Sequence, residues 1–183
     1  MAALKAKPRK TVQDYLELPE GTLAEVIDGE LLMTPSPRPS HQQVELRLAL
    51  AFGNFLEGHP QLGHIYLPPS DVHLPSGDIV EPDLIFISKG RTRIIKDWIR
   101  GAPDLLVEIL SPTSIDRDLL VKRELYARNG VLEYWVIDPV EGAIQVYTLR
   151  RRVYGAAGWY RRGSTIATPL LPRFKLEVST VFE

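Results

Sequence analysis

The sequence contains no cysteine, which excludes disulfides, thiolate zinc sites and cysteine nucleophiles together. It also lacks any run of about 18 apolar residues, and its basic start MAALKAKPRK carries no apolar segment of the kind a secretory signal needs. Neither a membrane span nor an export leader is expected, and the cytoplasm is the expected location. An excess of one charge is missing too: 22 basic against 23 acidic residues leave a net charge of −1, which argues against a protein that coats nucleic acid with its whole surface. Repeats and low-complexity segments are not found. What is present is 183 residues, 44% hydrophobic and 25% charged, enough for one domain with a sizeable core. A disordered tail is expected over residues 1–10 and a single domain over 11–183.

The chain is best organised around residues 103–130, PDLLVEILSPTSIDRDLLVKRELYARNG. Leu105 to Leu110 reads as a buried strand between Pro103 and Pro112, and Glu108 interrupts it. A lone carboxylate in an apolar sheet costs several kcal/mol or more unless a cation, a metal or several hydrogen bonds meet it. The following helix offers a partner. Ser111 or Ser114 is placed to cap it, Asp116 and Asp118 suit its first turns, and Gly130 stops it. Ile115, Leu119, Lys122 and Tyr126 fall on one face, so Lys122 interrupts an apolar stripe. An ordinary Asp118–Lys122 surface pair is the alternative reading of that lysine.

Before this unit, Thr11-Val-Gln-Asp14 has the capping-box form and predicts a short helix. Residues 23–33 read as a hairpin turning at Asp28-Gly29. A helix is expected from about His41 to Glu57, capped by Ser40, with Val44, Leu46, Leu48, Leu50, Ala51, Phe52 and Phe55 inside. Strands broken by prolines follow from Gly63 to Ser88, the last opening with Glu81-Pro82-Asp83. After it, residues 133–138 and 144–149 read as strands, the first parallel to 104–110 by its crossover. Residues 151–167 read as an antiparallel pair, and a tail from Pro169 packs Leu170, Leu171, Phe174, Leu176 and Val178 on the body. Basic residues cluster twice, at Lys89, Arg91, Arg93, Lys96 and Arg100 and at Arg150 to Arg152 with Arg161 and Arg162.

Carboxylates at the ends of neighbouring strands beside a lysine suit metal-dependent phosphodiester hydrolysis. Mg²⁺ takes hard oxygen ligands and keeps several waters, while a lysine orients the attacking water and stabilises charge on the phosphate. Asp83 is the candidate second carboxylate. Asp104 competes, since it shares a strand face with Glu108, but two residues four apart on one strand sit roughly 13 Å apart, too far to share an ion.

In this combination the chain resembles the Uma-two family of restriction endonucleases, a branch of the PD-(D/E)XK nuclease superfamily. The matching residues are Ala24 to Leu31, Ser40-His-Gln42, Glu81 to Phe86, and above all Pro103 to Thr113 with Asp118, Lys122, Tyr126 and Gly130 to Trp135. The resemblance implies a restriction-endonuclease-like α/β (α+β) core, a mixed central sheet flanked by helices, with the N-terminal hairpin and helix attached. It implies Asp83, Glu108 and Lys122 as catalytic residues, Asp83, Glu108 and Glu25 around Mg²⁺ (Mn²⁺ substituting), and His41 and Gln43 as substrate contacts. Where the family motif has its lysine, two residues after Glu108, this chain has Leu110, and Lys122 takes that place from the helix. The expected activity is cleavage of DNA, by analogy as a homodimer. The alternative is an inactive nuclease fold that binds nucleic acid or protein and keeps Glu108 and Lys122 as a buried ion pair.

Overall fold

The computed structural model describes residues 8–112 and 114–183. Thr11 caps α1 (Val12–Leu16) in a capping box with Asp14. Strands β1 (Ala24–Ile27) and β2 (Glu30–Met33) form the expected hairpin. Asp28 and Gly29 have φ of 51° and 80°, the two left-handed positions a type I′ turn needs. Of the expected tail, residues 1–7 lie outside the described residues. Arg9 and Lys10 are hydrogen-bonded to the hairpin turn, through the Arg9 guanidinium to the Asp28 carbonyl and the Lys10 N–H to the Gly29 carbonyl.

Helix α2 (Pro39–Glu57) begins before Ser40 could cap it: Pro39 takes the first turn, where its missing N–H costs nothing, and Arg38 precedes it without a side-chain cap. The buried stripe is Val44, Leu48, Phe52 and Leu56, in steps of four. Leu46 and Leu50, expected inside, are each 52% exposed, because a step of two from the stripe turns a side chain to the opposite side of a helix.

Next come β3 (Gly63–Tyr66), β4 (Val72–His73), β5 (Ile79–Val80), β6 (Leu84–Ser88), β7 (Ile99–Arg100) and β8 (Leu105–Ile109). A π-helical turn (Arg117–Lys122) then leads into α3 (Arg123–Asn129), which Gly130 ends in the left-handed region at φ 88°. After it come β9 (Glu133–Asp138), β10 (Ala143–Arg150), β11 (Val153–Tyr154), β12 (Gly158–Arg161), β13 (Thr165–Ile166), β14 (Leu176–Glu177) and α4 (Val178–Val181), and a 3-10 helix (Lys89–Ile94) lies between β6 and β7.

The central sheet has the order β11-β10-β9-β8-β6-β3, with β12 also on β10. The pair β8 and β9 is parallel, as the strand–helix–strand pattern predicts, and the other neighbours are antiparallel. The expected pair within 151–167 is corrected: β11 and β12 each lie against β10, at Leu149–Arg150 and Ala143–Val146. Eight residues of β10 give edge enough for both. A smaller sheet runs β2-β1-β5-β4-β7, and β13 pairs with β14.

The alternation along β8 divides the interior in two. Leu105, Val107 and Ile109 pack with α2 and with Leu171, Phe174 and Leu176 of the C-terminal segment. Leu106 packs on the other face with α3 and with Ile27 and Val80 of the smaller sheet. Covering both faces explains why the strands read as near-continuous apolar runs, each fully buried aliphatic or Phe contributing about 1.5–3 kcal/mol. By the period of two, Glu108 points with Leu106, toward α3. Among the described residues, no helix is long and apolar enough to cross a membrane.

Candidate active site

Leu84 at the start of β6 pairs with Val107, and one further step of that antiparallel ladder sets Asp83 opposite Glu108. Backbone on both sides of the glutamate holds the aspartate. The Asp83 N–H donates to the Val107 carbonyl at 3.1 Å, and its Oδ2 accepts the Ile109 N–H at 2.6 Å. Opposed residues have Cβ atoms about 5 Å apart, so the two carboxylates share one site. Asp104 lies at the other end of β8, where it accepts the Ser88 N–H and pairs with Arg91 at 3.2 Å. It ties down that end of the sheet.

Lys122 enters from the helix side. Its Nζ is 2.8 Å from Glu25 Oε1, 2.9 Å from Glu108 Oε1 and 3.7 Å from Asp118 Oδ1, and all four residues are nearly fully buried. The Tyr126 hydroxyl donates to the same Glu108 oxygen at 2.5 Å. Arg117 places Nη1 3.5 Å from Glu25 Oε2. In an α-helix, residues five apart differ by about 140° around the axis; the π turn winds them back toward one face, so Arg117 and Lys122 both reach Glu25. The same turn corrects the expected stripe. Ile115 is 44% exposed while Asp118 is buried, and the Asp118–Lys122 pair is an interior contact, not a surface one.

Glu25 therefore faces inward from the hairpin, and it also accepts the Glu81 N–H at 3.1 Å. From α2, His41 sets Nε2 3.2 Å from Asp83 Oδ2 and Nδ1 3.9 Å from Glu45 Oε2. Gln43 is exposed and turns away; Gln42 lines the cavity instead. Sequence reasoning missed Glu45, Glu81 and Arg117. Glu45 had a usable signal, standing four residues after His41 on the inward side of the helix. For Arg117 there was none, since its position depends on the π turn.

These groups line a cavity of about 570 Å³. Glu25, Glu45, Glu81, Asp83, Glu108 and Asp118 outnumber its cations, Arg38, Arg117 and Lys122. Burial pushes the Glu108 carboxyl well above the usual carboxylate range; Lys122 pulls it back, and Asp118, Asp83 and Glu25 push it further. Burial likewise raises Asp118. Burial alone would lower Lys122, but Glu108, Glu25 and Asp118 together hold it charged, well above its ordinary value. Glu81 is pushed up to about 7 by burial and by the charges of Asp71 and Glu25. Burial lowers the His41 pKa, yet the bond and charge of Asp83, aided by Glu45, leave it raised. A cavity with surplus oxygen donors and too few cations fits a hard divalent ion. Two donor sets share Asp83: the Asp83–Glu108 pair, and a group in which one atom each of His41, Glu45 and Asp83 lie within 4.8 Å of one another.

Comparisons with known proteins bear on the family and the fold. A family model named Uma2, described as "Putative restriction endonuclease", matches residues 12–179. An uncharacterized protein of Synechocystis is 27% identical over 146 residues, which cover 76% of this chain and 74% of that protein. The crystal structure of a "putative nuclease" from Anabaena variabilis superposes with a TM-score of 0.79 at 19% identity, covering 94% of this chain and 97% of that one.

Proposed function

Because the chain belongs to the Uma2 family, we propose that it is a magnesium-dependent DNA endonuclease whose reacting groups are Asp83, Glu108 and Lys122. One observation carries the reading: Asp83 stands opposite Glu108 at the rim of an open, acidic cavity, with the Lys122 ammonium 2.9 Å from Glu108. Asp83 and Glu108 would hold a divalent ion, which when bound would draw charge from the scissile phosphate and make water a better nucleophile. Lys122, anchored by Glu25 and Asp118, orients the attacking water and meets the negative charge that grows on the phosphate oxygens. Tyr126 fixes the Glu108 carboxylate. Glu25, whose oxygens are engaged by Lys122, Arg117 and the Glu81 N–H, serves the lysine in this reading more than the ion. Water adds to phosphorus and gives up a proton to solvent, the bond to the leaving oxygen breaks, and that oxygen takes a proton from solvent.

A second reading keeps the fold as a binding module. It is favoured by the direct Lys122 contacts to Glu25 and Glu108 and by Leu110 at the motif's lysine position. Supercoiled plasmid incubated with Mg²⁺ or Mn²⁺, alongside calorimetric titration of Mn²⁺ in the presence of a short duplex, separates the two. Cleavage that needs the metal, with both cleavage and Mn²⁺ binding lost in Asp83→Asn and cleavage alone lost in Lys122→Met, supports the enzyme. No Mn²⁺ binding and no cleavage by the wild type leaves the module. Light scattering with and without DNA tests the homodimer proposed by analogy with nucleases that cut both strands.

A further inference from the structure

The carboxylate site is acidic while its proposed substrate is a polyanion, and its acids outnumber Arg38, Arg117 and Lys122, so holding the strand calls for further cations away from the cut. The pairing register locates them. Glu108 faces Val136 on β9, Val136 faces Gln145 on β10, and Gln145 faces Trp159 on β12. Directly opposed residues project to the same side of a sheet, so Glu108 and Trp159 belong to one row, three strand spacings or about 14 Å apart. The next row toward the carboxylate end contains Asp138, Ala143 and Arg161.

Trp159 is 57% exposed, unusual for the largest apolar side chain, and the Arg161 guanidinium lies 5.8 Å over its ring. Arg162 follows, donating to the Phe182 carbonyl at 2.7 Å. The Asp138 carboxylate accepts the N–H groups of Val140 and Glu141 in the turn that follows it. Between this edge and the carboxylates runs the β9–β10 turn, whose Pro139 and Val140 line the catalytic cavity. Outside the cavity, which has Arg38, Arg117 and Lys122 in its own lining, the other clustered basic residues lie farther off: Arg150 to Arg152 sit at the opposite end of β10, and Lys89 to Arg93 follow the far end of β6.

We propose that Trp159 and Arg161 form a second contact for the nucleic-acid backbone, about 14 Å from the scissile phosphate, or roughly four base-pair rises along a duplex axis. Arg161 binds a phosphate, and Trp159 packs against the neighbouring sugar, the ring and the cation holding each other in place. The proposal rests on the nuclease reading of the site, and its test separates the two. A 20-base-pair duplex is titrated into the protein in EDTA while tryptophan emission is followed, for wild type, Trp159→Phe and Arg161→Ala. The expected result is an emission change that disappears in Trp159→Phe. In Arg161→Ala, binding weakens for every sequence and the slope of log K against log salt falls by about 0.9. With Mg²⁺ and cleavable DNA, both variants raise KM and keep kcat. Binding with this signature but no cleavage overturns the nuclease reading and leaves the contact. Cleavage with unchanged KM and silent Trp159 overturns the contact and leaves the nuclease. An emission that ignores DNA but shifts with protein concentration also overturns it, and marks the strip as a surface for a second copy of the chain.

Discussion

Replacing Lys122 by methionine keeps most of the packing volume and removes the ammonium that Glu25, Glu108 and Asp118 share at 2.8, 2.9 and 3.7 Å. Taking one partner from a buried ion pair costs about 3–5 kcal/mol, since the remaining charge is left without compensation. Tyr126 still donates to Glu108 and Arg117 still reaches Glu25, so the lower end, about 3 kcal/mol, is expected at pH 8. In a chain of this size that lowers Tm by about 6–12 °C. The loss has a definite pH signature. Burial already raises Glu108 and Asp118, with Lys122 the chief opposing influence; without it their folded pKa values rise further above the unfolded ones. The folded variant then binds more protons than the unfolded chain, so this contribution to stability is present at low pH and is lost as pH rises. The deficit relative to wild type is therefore smaller at pH 5 than at pH 8. Urea and thermal unfolding in EDTA at both pH values measure it, and added Mn²⁺ should restore part of the stability at pH 8. A deficit below about 1 kcal/mol at pH 8, or one that does not change with pH, refutes the buried network.

Tyr126→Phe leaves a ring of the same shape but removes the bond to Glu108 Oε1; a loss of about 1.5–3 kcal/mol is expected by urea unfolding, together with slower cleavage at saturating DNA. Glu81, raised from 4.5 to about 7, contributes stability that is full below its unfolded pKa and is lost as pH rises through about 7. Glu81→Gln should therefore flatten the fall in Tm across that window, and an unchanged Tm profile would refute the shift. Phe52 sits 4.6 Å from the Phe174 ring and 5.6 Å from Trp135, so Phe52→Ala should cost about 3–5 kcal/mol without changing Mn²⁺ binding.

The sequence was readable where chemistry is local. An acid inside Leu105 to Leu110, a dipeptide such as Asp28-Gly29, and a strand–helix–strand order each have few solutions, and β8, the hairpin and the parallel pair stand where those signals put them. The ladder that opposes Asp83 to Glu108 could be approached from the sequence only indirectly, from Asp83 opening a strand behind Pro82, from eliminating Asp104 on distance and from the family resemblance. What could not be read depends on geometry that residue types do not encode. The π turn leaves Ile115 outside and brings Arg117 to Glu25 beside Lys122, whereas a count at 3.6 residues per turn keeps Ile115 on the inner face and sets Arg117 about 140° from Lys122. The bias toward apolar residues in α2 hid its true stripe, placing Leu46 and Leu50 inside. Short strands after Arg150 could not reveal that both join β10, since partner choice there is set by the free edge and not by their own patterns.

The groups of the candidate site arrive from four separated stretches: Glu25 from the hairpin, Asp83 from the entry to β6, Glu108 from β8 and Lys122 from the helix. A chain leaving the ribosome folds from its N-terminal side first, so none of its shorter precursors holds the full set. For the proposed endonuclease, this order of assembly means that the growing polypeptide carries no complete set of reacting groups until its helix has docked and β9 has closed beside β8. Freeing the hairpin from the rest would take Glu25 away from Lys122 and Arg117.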